Sequence, residues 1–368
     1  MLNFATDNST RSENNLTKSQ LEIANMLIEE GILNGPVDKI QFSPLSGGVS
    51  SDIFLVSDGN QKIVVKQAVK KLRVKDDWYV DVTRNHFEHE YLRYVARLDA
   101  TVVPKVLYHN DEKGFFVMEY LCNDFVTWKD NLLKKKLSKT HAQRVGEILG
   151  KIHRESWDDK SLLHKFDTTE LFIQLRVDPY LYTTGKRTPE FGELFEQEGK
   201  RLILNRKCLV HGDYSPKNIL ISNDRVVIID CEVAWFGDPA FDVCFLLNHL
   251  FLKAIYNNEI ATAYMELARL FWDSYTDVLG KDYSAEIEKH VGRLLLMLMA
   301  ARVDGKSPVE YLVDERKKQM IRAFVKNNLT KDFSFEPVRH LSILWANAIK
   351  EHKEGRHENS QYKCHSDI

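Results

Sequence analysis

The sequence has 368 residues, which suggests two or three domains at about 150 residues per domain. Its 51 lysines and arginines nearly balance its 53 aspartates and glutamates, and the net charge of −2 argues against a general nucleic-acid-binding protein. Hydrophobic residues make up 43% and aromatic residues 11%, so the composition excludes intrinsic disorder over most of the chain.

The predicted elements change from strand-like to helical along the chain. Before residue 120, apolar residues recur at helical spacing at 21–28 and at 83–98. Short runs rich in β-branched or aromatic residues predict strands at 52–56, 62–68, 106–108, 115–118, 219–221 and 226–229. Beyond residue 120 the other periodic segments are helical. A small β-rich half followed by a larger helical half is the order of an α+β protein.

This pattern divides the chain into segments of different composition. We predict an N-terminal extension with one helix, a β-rich lobe, a helical lobe and a polar tail, at 1–35, 36–120, 121–350 and 351–368.

The cysteines and the apolar runs predict where the protein works. The five cysteines form no CxxC pair, which is typical of a reducing compartment. The first 20 residues lack a basic start followed by an apolar core, so no secretory signal is predicted. The most apolar run, 294–301, is far shorter than the roughly 18 residues of a membrane helix. The sequence therefore predicts a cytoplasmic protein with no membrane partner.

The segment HGDYSPKN, residues 211–218, carries the strongest chemical pattern. Asp213 and Asn218 have the D-x-x-x-x-N spacing of a kinase catalytic loop, in which Asp accepts a hydroxyl proton and Asn binds Mg²⁺. Asp230 follows a predicted strand, where another carboxylate could join the amide oxygen on a cation. Each piece alone would also fit a polar turn, but the three in this order favour phosphoryl transfer.

HGDYSPKNIL together with VIIDCEVAWFGDPAFDV resembles the aminoglycoside phosphotransferase and choline kinase superfamily over about residues 40–310. The resemblance implies a two-lobed protein-kinase-like fold, with ATP and Mg²⁺ as cofactors. It implies that Asp213 is the catalytic base, that Asn218 and Asp230 bind Mg²⁺, and that Asp242 supports the loop. Glu232 completes an Asp-x-Glu pair that some members carry. It is either a further metal ligand or a strand residue that faces solvent.

The same resemblance places the nucleotide site in the β-rich half. Lys66 in IVVKQA matches the lysine that pairs with ATP phosphates, and its partner should be a glutamate on the next helix. Glu88 shares a helix face with Leu92, whereas Glu90 faces outward, so we predict Glu88. The other expected nucleotide-binding residues are those of a phosphate-covering loop and of the segment that binds adenine: Ser46, Gly47, Gly48, Glu119 and Leu121.

The class of substrate is predicted from features of protein kinases that this sequence does not contain. Gly237 follows Asp230 too closely for the segment with which a protein kinase binds its protein substrate, and no DFG motif is present. We therefore predict an ATP-dependent small-molecule kinase, a transferase whose acceptor is a hydroxyl of a sugar, amino alcohol or aminoglycoside-like compound. The alternatives are a catalytically silent nucleotide-binding pseudokinase and nucleotidyl transfer on the same fold. A homodimer is left open.

The N-terminal half is most similar to 5-methylthioribose kinases, which makes a methylthioribose-like sugar the specific acceptor to test. This chain departs from that pattern at two positions. Methylthioribose kinases lack an asparagine at the position of Asn218, and they carry two arginines where this chain has only Arg302. Helical segments of the second half normally line the acceptor site, so Arg176, Asp178 and Arg302 are the predicted substrate residues. Ion pairs at helix ends would explain the same three residues equally well.

Overall fold

The computed structural model describes residues 16–45, 51–69, 83–122, 124–223 and 225–363, with side chains up to residue 353. The chain divides into two compact units, Met1–Phe125 and Val126–Ile368.

The described residues of the first unit form an antiparallel sheet and two α-helices. Its elements are α1 (Lys18–Glu29), β1 (Gln41–Pro44), β2 (Ser51–Ser57), β3 (Lys62–Ala68), α2 (Arg84–Leu98), β4 (Val106–Asn110) and β5 (Phe115–Glu119). Across the described residues the five strands are ordered β1-β2-β3-β5-β4. Apolar side chains of α1 and of one sheet face form a common core, including Ile23, Leu27, Val65 and Val117.

The β2–β3 turn is fixed by one buried carboxylate. Asp58 accepts hydrogen bonds of 2.9 Å from the backbone N–H groups of Asn34, Asn60 and Gln61. These bonds tie the turn to the segment that follows α1. They also lower the pKa of Asp58 to about 2, with the bond from Gln61 as the largest cause.

We expect Asp58→Asn to destabilise the protein by about 1 to 2 kcal/mol at neutral pH. An asparagine side chain can still accept from Asn60 and Gln61, but its NH₂ group would face the N–H of Asn34. The pKa of Asp58 is lower in the folded chain than in the unfolded chain, so its stabilisation is complete above about pH 4 and disappears as the pH falls towards 2. Urea unfolding of both proteins at several pH values between 2 and 7 measures this. A difference independent of pH would contradict the assignment.

The second unit is mainly helical. Its helices are α3 (Trp128–Leu133), α4 (Lys139–Glu155), α5 (Lys160–Lys165), α6 (Thr169–Phe172), α7 (Thr183–Arg187), α8 (Gly192–Leu204), α9 (Ala240–Tyr256), α10 (Ala261–Leu279), α11 (Lys281–Asp304), α12 (Glu315–Asn328) and α13 (Pro337–Lys363). Its short strands are β6 (Val126–Thr127), β7 (Cys208–Val210), β8 (Ile219–Ile221), β9 (Val226–Ile228) and β10 (Trp235–Gly237). Within the described part, β10 pairs with β7, and β6, β8 and β9 form a second small sheet.

The helices of the second unit pack closely against one another. Helices α4 and α10 approach at Gly146 and Gly150, where a Cβ atom would overlap backbone atoms of α10. Helix α9 is buried along nearly its whole length. The ring of Trp345 on α13 donates a 2.9 Å hydrogen bond to the carbonyl of Phe251 on α9.

A π-helical segment, Ile173–Tyr182, connects α6 to α7. It contains Pro179, which has no N–H to give to a regular helical ladder. π-Helical geometry is frequent at functional sites, and this ten-residue segment carries Arg176 and Asp178.

The α+β class is confirmed, since an antiparallel sheet precedes the helical unit in the chain. The predicted strands and the two predicted N-terminal helices are present within a few residues of their expected bounds. The last helix continues to Lys363, into the segment predicted as a polar tail. Within the ranges the structure describes, no helix is long and apolar enough to cross a membrane.

Candidate functional site

The loop from His211 to Asn218 lies between β7 and β8 and is held by the buried carboxylate of Asp242. Asp242 accepts a 2.7 Å hydrogen bond from the N–H of His211 and a 2.9 Å bond from the N–H of Gly212. It lies in the first turn of α9, where a negative charge also interacts well with the helix dipole. These bonds agree with the predicted supporting role of Asp242.

Gly212 is required by the shape of this loop. Its φ of +76° lies in the left-handed region. A Cβ atom there would also overlap the backbone carbonyl of Val233. Both effects exclude an ordinary side chain.

We expect Gly212→Ala to destabilise the protein by about 2 to 5 kcal/mol, because left-handed strain and steric overlap add together. Gly31→Ala is the control for the backbone strain alone. Gly31 has a similar φ, +67°, and a Cβ atom built there would have open space around it. The control should lose only about 1 to 2 kcal/mol. Equal losses in denaturant unfolding would show that the overlap with Val233 is relieved by a small shift.

His211 joins the loop to the chain that follows β9. Its Nδ1 atom lies 3.1 Å from the N–H of Asp213 and accepts that bond, while Nε2 lies 3.2 Å from the carbonyl of Ile229 and donates to it. This arrangement needs the neutral ring with the proton on Nε2. Burial lowers the pKa of His211, which favours that neutral form.

Asp213 is nearly buried and lies between two cations. Its Oδ2 atom is 3.0 Å from the ammonium of Lys217 and 3.2 Å from the guanidinium of Arg176. Burial alone would raise the pKa of Asp213, but Lys217 and Arg176 lower it by more, so the pKa lies below its ordinary value. Asp213 is therefore an anion at neutral pH, as a group that orients a hydroxyl and accepts its proton must be.

The three predicted cation ligands all lie in the second unit, close to this loop. The amide nitrogen of Asn218 donates a 3.0 Å bond to the carbonyl of Asp213, which leaves its amide oxygen for a cation. Carboxylate oxygens of Asp230 and Glu232 lie within 4.8 Å of each other. Asp230 has a φ of +62°, a strained conformation for an aspartate and one that is frequent at functional sites. This set of oxygen donors fits a hard divalent cation such as Mg²⁺.

The first unit contains the predicted ion pair of the nucleotide site. The Lys66 ammonium lies 2.8 Å and 2.7 Å from the two carboxylate oxygens of Glu88. Both side chains are buried, with 2% and 1% exposure. Glu119 is the last residue of β5, and its N–H donates a 2.9 Å bond to the carbonyl of Lys105. Leu121 is half-buried.

The predicted phosphate-covering residues Ser46, Gly47 and Gly48 lie outside the described residues.

The predicted substrate residues differ in their surroundings. Arg176 contacts the loop itself, because it donates to the carbonyl of Gly212 and pairs with Asp213. Asp178 is half-buried in the same π-helical segment. Arg302 donates to the hydroxyl of Tyr180 and to Ser307, and within the described ranges it forms no ion pair with a carboxylate. The helix-end ion pair that was the alternative for Arg302 is therefore not found there.

Two groups near this site were not singled out from the sequence. Lys217 pairs with Asp213. Its position four residues after the aspartate is a sequence signal that could have suggested this pair. His249 and Lys253 are buried on α9, and their signal was two basic residues in the mainly apolar second half of that helix.

A loop with an anionic aspartate, a neighbouring amide and a carboxylate pair is typical of proteins that transfer phosphoryl groups to small molecules. The comparison of sequences agrees with this class. The chain belongs to the phosphotransferase enzyme family (APH), which matches residues 41–274, more than half of the chain.

Curated relatives of this chain include methylthioribose kinases. The protein from Pectobacterium carotovorum is 26% identical over 261 residues, which cover 59% of this chain and 65% of the relative. The protein from Escherichia coli is 24% identical over 248 residues, which cover 59% of each chain. The chain thus spans less than two thirds of the length of these relatives.

Among solved structures, similar chains include a choline/ethanolamine kinase family protein from Mesorhizobium loti, with a TM-score of 0.47 and 16% identity over 90% of this chain and 94% of the other. Ethanolamine kinase from Plasmodium vivax gives a TM-score of 0.48 and 11% identity over 92% and 90%. At these TM-scores the likeness adds no argument beyond the family match.

Proposed function

We propose that this protein transfers the γ-phosphoryl group of ATP to a hydroxyl group of a small molecule. The observation that carries the proposal is the anionic Asp213, fixed by Lys217 and Arg176 on a loop that Asp242 holds in place. The family and the methylthioribose kinase relatives support the same reaction class.

Each residue then has a role in this reaction. Asp213 orients the acceptor hydroxyl and takes its proton while the oxygen forms a bond to the γ-phosphorus and the bond to ADP breaks. Asn218, Asp230 and Glu232 would hold Mg²⁺, which neutralises phosphate charge when it is bound. Lys66 contacts ATP phosphates, and Glu88 positions the Lys66 ammonium.

The residues of the nucleotide site and a cytoplasmic location are further parts of this proposal. Ser46, Gly47, Gly48, Glu119 and Leu121 are proposed to complete the nucleotide site. A cytoplasmic location is in keeping with four described cysteines that are free thiols: Cys122, Cys208, Cys231 and Cys244.

The test is ADP release from Mg·ATP with a panel of sugars, amino alcohols, amino acids and aminoglycosides, methylthioribose among them. We expect acceptor-dependent ADP release that is lost in Asp213→Asn. Product mass separates phosphoryl from nucleotidyl transfer. Tight ATP binding with no acceptor-dependent release from any class of the panel would support the pseudokinase alternative instead.

A further inference from the structure

Basic side chains are in excess around one end of α9. Lys253, Arg302 and Lys129 approach one another there, and Glu310 is the acidic residue that interacts with them. Glu310 is already paired with Lys129. Among the residues that the structure describes, Lys253 and Arg302 therefore form no ion pair with a carboxylate, and basic groups outnumber acidic ones around them.

Lys253 is the most unusual member of this cluster. It is 1% exposed, and its ammonium lies 4.9 Å from the centre of the Tyr311 ring. Within the described ranges its ammonium forms no hydrogen bond or ion pair. Burial is the largest cause that lowers its pKa, to about 7, and Lys129 and Arg302 lower it further. A buried lysine in such surroundings is costly to the folded protein.

The groups next to Lys253 also have unused hydrogen-bonding atoms. Nε of Arg302, Nδ1 of His249 and the hydroxyl of Tyr311 are buried and have no hydrogen-bond partner in the described structure. Such atoms are rare in folded proteins and call for an explanation. Of these, Nε of Arg302 and the hydroxyl of Tyr311 are donors, and an anion with several oxygen atoms accepts hydrogen bonds from such groups.

A continuous set of contacts connects this cluster to Asp213. Arg176 pairs with Asp213 and lies 5.8 Å from the centre of the Phe245 ring. That ring contacts Tyr180 at 5.4 Å and His249 at 5.5 Å between centroids. Tyr180 accepts a 3.1 Å bond from Arg302. Lys217, the other cation paired with Asp213, also acts electrostatically on His249. The cluster is thus connected to Asp213 through both of the cations that pair with this carboxylate.

We propose that the acceptor is an alcohol that carries an anionic group, a carboxylate or a phosphate, bound by Lys253 and Arg302 while its hydroxyl lies at Asp213. This rests on the proposed phosphoryl transfer. A cationic acceptor such as an amino alcohol would be repelled by the same charges, which gives the site its specificity.

The test compares matched acceptors that differ in charge: glycerol, glycerate and glycerol 3-phosphate, then ribose, ribonate and ribose 5-phosphate, with choline and kanamycin as cations. ADP release should be greatest with an anionic member, and the carboxylate and phosphate arms show which anion is preferred.

Lys253→Met should lower kcat/KM for that acceptor by about 30-fold. Arg302→Lys should lower it at least tenfold, because lysine lacks the planar fork. Lys326→Met, at an exposed lysine on α12, is the control and should change nothing.

Thermal unfolding separates binding from structure. Lys253→Met should raise the Tm, because it removes a buried amine that forms no hydrogen bond in the described structure, whereas loss of a purely structural lysine would lower the Tm. The same anions should raise the Tm of Asp213→Asn and not that of Lys253→Met. Lys253-dependent binding of an anion without ADP release would support an anion site at Lys253 and Arg302 but overturn the proposed function. ADP release only with neutral or cationic acceptors, or no Lys253-dependent binding of any anion, would overturn the inference.

A second cluster, in the first unit, independently indicates a metal site. His86 and His89 are one turn apart on α2, and Asp111 directly follows β4. Their potential ligand atoms lie within 4.8 Å of one another. Asp111 is 2.9 Å from Nδ1 of His86 and 3.0 Å from Nε2 of His89. A third imidazole, His109, has Nδ1 3.6 Å from Asp111.

We infer that His86, His89 and Asp111 bind a transition-metal ion such as Zn²⁺, with His109 as a further nitrogen ligand. Nδ1 of His109 is buried without a hydrogen-bond partner in the described structure. His86 and Asp111 are 40% and 46% exposed, which gives an ion access. Imidazole nitrogens with one carboxylate are a donor set that Zn²⁺ prefers to Mg²⁺.

The test is titration of the metal-free protein with ZnCl₂, followed by calorimetry and by Tm. We expect one ion per chain and a Zn²⁺-dependent rise in Tm that EDTA reverses and MgCl₂ does not produce. His86→Asn and Asp111→Asn should weaken binding at least tenfold, and His340→Asn, at an exposed histidine on α13, should not. Absence of the Tm shift, or equal binding by all variants, would mean that the three side chains form only a hydrogen-bonded network.

Discussion

Asp213→Asn is expected to lower the rate of phosphoryl transfer by about 10² to 10⁴ and to leave the affinity for Mg·ATP within a few-fold. Asparagine has the same shape but cannot take the hydroxyl proton, and its amide no longer balances Lys217 and Arg176. Single-turnover ADP formation and equilibrium ATP titration measure the two quantities separately. Full turnover of the variant on its best acceptor would refute the role of Asp213.

Lys217→Met is the companion variant, because it removes one of the two charges that lower the pKa of Asp213. Asp213 acts as its anion, so activity should be lost below its pKa. Removal of Lys217 should raise that pKa and move the acid limb of the pH–rate profile to higher pH. An acid limb that stays in place would assign it to another group.

Asp230→Ala should weaken Mg²⁺-dependent ATP binding by about 100-fold or more, and more than Glu232→Ala or Asn218→Ala does. Asp230 offers a full negative charge at the strained turn beyond β9, whereas Asn218 offers a neutral oxygen. Titration of ATP with MgCl₂ and with EDTA isolates the Mg²⁺-dependent part. Binding in EDTA should be the same for all four proteins.

Asp230→Asn separates charge from backbone strain. Asparagine accepts a positive φ more readily than alanine, so this variant should keep the Tm and still lose Mg²⁺-dependent binding. If Glu232→Ala proves more damaging than either change at residue 230, then the cation ligands have been assigned wrongly.

Local patterns in the sequence were sufficient for part of the site. The spacing of Asp213 and Asn218 fixes them on one short loop, and helical periodicity selects Glu88 over Glu90 as the partner of Lys66. Both are properties of neighbouring residues, so no tertiary information was needed.

The excess of basic side chains around one end of α9 could not be predicted from local patterns in the sequence. Apolar residues surround Lys253 in the sequence, and the pattern therefore indicates only a buried helix. That its neighbours are Arg302 and Tyr311 follows from how α9, α11 and the chain after α11 pack. Likewise, the contact of Arg176 with Asp213 depends on a π-helical turn that no periodicity in this segment predicts.

The anchoring of the 211–218 loop by Asp242 has a consequence for the motions of the protein. Asp242 belongs to α9, the most deeply buried helix of the second unit, so the N–H groups of His211 and Gly212 are tied to the hydrophobic core. These two amides can exchange their hydrogens with solvent only when the core around α9 opens. The loop that carries Asp213 thus begins at two slowly exchanging amides, and adjustment to different acceptors is left to the side chains that surround it.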